Sequence, residues 1–94
     1  MNVTGRSQCF LCGSEAICVN TDFGKRKFYQ CSNEECGDYE ISLNAMHKME
    51  NAPSQKQQVM RQVRMYRGTD KMIEVIMGPD NQIMGNPVPR NRQL

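Results

Sequence analysis

Two cysteine pairs, each closed by a glycine, limit what this chain can become: Cys9-Phe10-Leu11-Cys12-Gly13 and, further on, Cys31-Ser32-Asn33-Glu34-Glu35-Cys36-Gly37. A Cys-x-x-Cys turn folds its backbone so that two thiolates share one edge of a tetrahedron, and two such turns complete the four-ligand shell that zinc prefers. The spacing therefore points to Cys9, Cys12, Cys31 and Cys36 as ligands of one structural Zn2+. A glycine directly after each pair tolerates positive φ, so the chain can leave the turn tightly while amide N–H groups soften the charge on sulfur.

A chain of 94 residues needs such a staple, because small domains bury too little apolar surface to be comfortably stable alone. Aromatic residues make up 6% of the chain, tryptophan is absent, and eight methionines carry much of the apolar content; methionine fills space but specifies packing weakly. The stretch "MNVTGRSQC" has no apolar run behind basic residues, and nothing approaches the roughly 20 apolar residues of a membrane span. The expected compartment is thus the reducing cytoplasm, where paired cysteines hold metal more often than each other. In that setting Asn2-Val3-Thr4 reads as a chance match to a glycosylation acceptor. Two disulfides, a redox-active Cys9/Cys12 pair, and iron in place of zinc are the alternatives that spacing leaves open.

Short segments rich in β-branched and aromatic residues surround the cysteines. Glu15 to Asn20, Arg26 to Gln30 and Asp38 to Ser42 read as three strands of one antiparallel sheet, the first two joined by a loop containing Gly24. In the third, Tyr39 and Ile41 share one face and Asp38, Glu40 and Ser42 the other. Cys18 alternates with Ala16, which suits a buried small side chain rather than a fifth ligand. Over residues 7–42 this pattern resembles the zinc-ribbon family, in which two cysteine knuckles at the ends of β-hairpins clamp one structural zinc. The resemblance rests on Cys9 through Gly13, the strand pair, Cys31 through Gly37 and the strand Asp38-Tyr39-Glu40-Ile41. One departure is plain: the second knuckle has four residues between its cysteines where the family usually has two.

Beyond the cysteines, Leu43 to Glu50 reads as a short helix interrupted at Asn51-Ala52-Pro53. A longer helix is expected to start at Ser54, with Gln57 completing a capping box, and to stop at Gly68. Val59, Val63 and Tyr66 share one narrow face of it. Lys71 to Met77 and Gln82 to Gly85 then form a hairpin about Gly78-Pro79-Asp80-Asn81, whose Ile73, Val75 and Met77 face needs a cover. The expected architecture is a small α+β fold: an N-terminal three-stranded antiparallel zinc ribbon (7–42), a helix and β-hairpin (43–85) packed on it or on a partner, and an extended or disordered tail (86–94).

Four protein thiolates close the zinc shell and leave no position for an activated water, and no nucleophile–base pair or phosphate loop appears elsewhere. A non-enzyme without a small-molecule substrate is therefore expected. His47, the single histidine, reads as a surface residue in an amphipathic segment. One functional expectation is a regulatory or binding module that engages a protein partner or a second copy of itself through its methionine-rich apolar faces. The alternative is nucleic-acid binding through Arg61, Arg64, Arg67 and Lys71, a patch that Lys56, Arg90 and Arg92 could extend. Against it stands the charge: four thiolates and a divalent ion bring the formal +2 to about zero.

Overall fold

The chain's arrangement is given by a computed structural model, which describes residues 3–90. Among these, six strands form one mixed sheet in sequence order: β1 (Val3–Gln8), β2 (Glu15–Thr21), β3 (Arg26–Cys31), β4 (Asp38–Ser42), β5 (Lys71–Met77) and β6 (Ile83–Pro89). Two helices, α1 (Leu43–Met49) and α2 (Pro53–Met65), lie between β4 and β5. The α+β expectation holds, but the ribbon is not a separate three-stranded unit. β1 adds a fourth antiparallel strand that composition did not signal, and β5 joins β4 in parallel, with Tyr39 opposite Ile73, Glu40 opposite Glu74 and Ile41 opposite Val75.

That parallel pairing dictates the rest of the topology. A parallel neighbour must start at the same end as β4, so the intervening chain has to cross the whole sheet, and helices do so with their own backbone satisfied. The crossover buries Ala45, Met49, Val59 and Val63 against Tyr39, Ile41, Ile73 and Val75 in one core. This is the cover that the apolar face of the hairpin required.

Local signals set the element ends. Ser42 caps α1, its hydroxyl accepting from the Ala45 N–H at 3.1 Å. The capping box at Ser54 does not form: Pro53 occupies the first turn, Ala52 is the cap, and no side chain bonds the helix start. Proline is favoured there because its missing N–H is one that the first turn leaves without a helical partner anyway. Gly68, at φ 80°, ends the helical segment as expected, and the following Thr69 N–H bonds the Tyr66 carbonyl at 3.1 Å.

On the face of the sheet opposite the helices, Arg26 binds both Glu40, at 3.4 Å, and Glu74, and the Thr21 hydroxyl donates to Glu40 at 2.7 Å. Glu40 lies on the face opposite Tyr39 and Ile41, as alternation along β4 predicts, and is buried there. β6 continues into the segment from Asn86, and the Arg90 N–H bonds the Asp70 carbonyl; residues 91–94 of the expected tail, Arg92 among them, and Asn2 lie outside the described residues. Pro87 and Pro89 lie in β6 on the sheet's edge, where a strand without their N–H donors is tolerated.

Candidate metal centre

Antiparallel hairpins return the chain to where it left, so the β1–β2 and β3–β4 connections emerge at one end of the sheet. These connections carry the two cysteine pairs. The Sγ atoms of Cys9, Cys12, Cys31 and Cys36 all lie within 4.8 Å of one another. Between the knuckles, Cys9 lies 3.8 Å from Cys36 and Cys12 lies 3.4 Å from Cys31. A tetrahedron with zinc–sulfur bonds of about 2.3 Å has edges of about 3.8 Å, so the donor set fits a four-coordinate thiolate-bound metal. Cys9, Cys31 and Cys36 are buried and Cys12 is half-buried.

Each knuckle has its own construction. In the first, the Gly13 N–H bonds the Cys9 carbonyl at 2.8 Å and Gly13 takes φ 81°, as its position required. The second is longer and pivots on Asn33: its side chain accepts from the Glu35 N–H at 2.9 Å, its carbonyl from the Cys36 N–H at 3.0 Å, and its own N–H points at Cys31 Sγ at 3.5 Å. Gly37 does not take the positive φ expected of it; a Cβ on it would meet Arg67 Cβ and Val63 Cγ1 at 3.4 Å, an ordinary packing contact.

Tyr39 completes the thiolate environment. Its hydroxyl accepts from the Leu11 N–H at 3.3 Å, which leaves the proton to donate to Cys9 Sγ at 3.1 Å, while its ring stacks on Tyr29 with centroids 5.1 Å apart. The hydrogen bond from Cys36 draws Cys9 down to about 4 against the opposing effect of burial, with further help from Tyr39 and the Cys12 and Leu11 backbone. The same bond, read from its other end, raises Cys36 together with burial. Burial is the main cause that pushes Cys31 up to about 12. Before any metal arrives, Cys9 is thus the favoured thiolate, while Cys31 and Cys36 hold their protons.

The remaining candidates divide cleanly. Cys18 is buried on the strand face it was expected to occupy, hydrogen-bonds Tyr29 and is outside the cluster. His47 is exposed and 3.6 Å from Glu50. Arg67, grouped by sequence with a nucleic-acid patch, instead donates from Nη1 to the carbonyls of Cys31, Asn33 and Cys36 at 3.5, 3.0 and 3.3 Å. Arg64 pairs with Glu35 of the second knuckle at 2.7 Å, and Lys56 sits 4.5 Å above the Phe10 ring of the first. Arg61 shares a surface hollow with Glu35, Gln57, Met60 and Arg64, and Lys71 is exposed at the start of β5. Arg90 pairs with Asp38.

Sequence reasoning missed the parts played by Tyr39 and Arg67. An aromatic in the strand after the second knuckle was visible, but its hydroxyl reaches Cys9 only across the fold. No helix among the described residues is long and apolar enough to cross a membrane. No protein-family model, curated protein or solved structure matches the chain, so its likeness to zinc ribbons rests on the cysteine geometry.

Proposed function

We propose that this chain is a non-catalytic, zinc-stabilised regulatory module that acts by binding a protein partner. The observation that carries the reading is the four-thiolate cluster itself. A zinc held by Cys9, Cys12, Cys31 and Cys36 has a closed shell, and its contribution is shape. Thiolates select soft or borderline metals, which favours zinc while allowing iron. The partner half of the reading draws support from apolar side chains left in water, foremost Phe23, which is fully exposed at the β2–β3 loop with φ 56°. A phenyl group there adds nothing to the core, whereas burying it in a partner contributes about 1.5–3 kcal/mol. The nucleic-acid reading loses ground because Arg64 and Arg67 are turned onto the second knuckle.

Native mass spectrometry of the purified protein tests the first half: one zinc per chain is expected, and a metal-free folded chain overturns it. Phe23→Ser tests the second. It should keep the metal and the fold while losing the complex, whether with another protein or with a second copy. Complex formation that survives the substitution, or salt-sensitive capture of oligonucleotides by the wild type, would remove this assignment.

A further inference from the structure

The second knuckle spans four residues between its cysteines, and besides its internal bonds through Asn33 it is held from outside. Three of its carbonyls, those of Cys31, Asn33 and Cys36, converge on one point, Nη1 of Arg67. The arginine's own position is fixed at both ends. Its N–H bonds the Arg64 carbonyl at 3.1 Å, Gly68 turns the chain away at φ 80°, and its stem lies along the bare Gly37. The topology requires this meeting, because α2 must return to the end of the sheet where β4 begins, and that end is where the second knuckle sits.

We propose that Arg67 is a positioning residue of the metal centre, holding the long knuckle closed so that Cys31 and Cys36 stand ready for the metal; this rests on the metal-binding reading above. Its guanidinium also brings a positive charge beside a four-thiolate site that keeps a net charge of about −2 after binding a divalent ion. Hydrogen-bonded groups around metal ligands commonly govern affinity by 10–100-fold. Arg67 would do so through the backbone of the turn, touching neither sulfur nor metal.

The test compares wild type, Arg67→Ala, Arg67→Gln and Arg64→Ala, each loaded with Zn2+ or Co2+. Two quantities are read: the rate of metal loss to EDTA, and which cysteines limiting N-ethylmaleimide modifies first. For Arg67→Ala we expect release on the order of tenfold faster, with modification of Cys31 and Cys36 accelerated over wild type more than that of Cys9 and Cys12. Arg64→Ala, which breaks an exposed ion pair, should match wild type. A wild-type release rate in Arg67→Ala, or equal acceleration at all four cysteines, overturns the role of the arginine and leaves the metal centre standing. If Arg67→Ala does not fold, Arg67→Gln, which keeps the stem and an amide donor, carries the test with the same selective acceleration at Cys31 and Cys36 expected and a wild-type pattern overturning it. A wild type that takes up neither metal overturns the centre and this proposal together.

Discussion

A buried hydroxyl must find partners for both its proton and its lone pairs, and Tyr39 finds them in Cys9 and the Leu11 N–H, two parts of the first knuckle. Tyr39→Phe keeps the stacking on Tyr29 but leaves the Leu11 amide unanswered, a loss of about 1–3 kcal/mol. The urea midpoint of the metal-loaded protein should fall accordingly, with one metal still bound per chain; an unchanged midpoint would mean the hydroxyl carries no such bond. The thiols give a second prediction. Cys31 lies near 12 and Cys36 above its ordinary value, so a metal must displace protons from both, whereas Cys9, near 4, is already ionised at neutral pH. Metal uptake near pH 7 should therefore release at least about two protons, and affinity should rise with pH. For the metal-free fold the signs differ by group. The lowered Cys9 contributes stability that is full above the ordinary thiol value of 9.0 and lost as pH falls through about 4, while the contribution from Cys31 is full below 9.0 and lost as pH rises through about 12. Titration calorimetry in buffers of different ionisation enthalpy counts the released protons directly.

Between elements, the parallel β4–β5 pair needs more than apolar packing, because its register sets Glu40 directly opposite Glu74. Like charges so placed repel, and Arg26 of β3 answers both. Arg26→Met should cost about 3 kcal/mol, the lower end expected for breaking a buried ion pair, since the arginine is partly in contact with water. Adding Glu74→Gln should return part of that loss, which a double-mutant comparison by denaturant unfolding would measure. The same cluster explains why only part of the fold was legible. Alternation along β4 and β5 correctly sorted Tyr39, Ile41, Ile73 and Val75 onto one face, because that pattern is written within each strand. Which strands become neighbours is not so written. Glu40 and Glu74 each look like solvent-facing residues until a third strand supplies Arg26. Likewise Ser54 and Gln57 matched a capping box, but proline's preference for the first turn moved the helix start to Pro53. The cysteine site was readable because ligand type and spacing are local. Its supports act across the fold: Tyr39 reaches Cys9 from β4, and Arg67 reaches the second knuckle from the turn after α2.

At the scale of the molecule, the knuckles close one end of a sheet that runs unbroken from β1 to β6, and the turn after α2 is bonded to one of them. Nothing in this arrangement lets the cysteine half and the helix–hairpin half part cheaply, since separating them exposes the core shared by Tyr39, Ile41, Val59, Val63 and Val75. Structural zinc supplies about 10–16 kcal/mol of binding energy that is also folding energy, whereas whole domains are stable by about 5–15 kcal/mol. Removing the metal should therefore loosen the entire sheet. Hydrogen exchange followed by mass spectrometry, before and after chelation, tests this at the strand farthest along the sheet from the first knuckle. Protection at Met72 to Val75 and along β6 should fall together with that at Tyr29 and Tyr39, in one cooperative step. If β5, β6 and α2 instead kept their protection while residues 7–42 lost theirs, the helix and hairpin would be a separately folding unit and the metal would stabilise only the cysteine half.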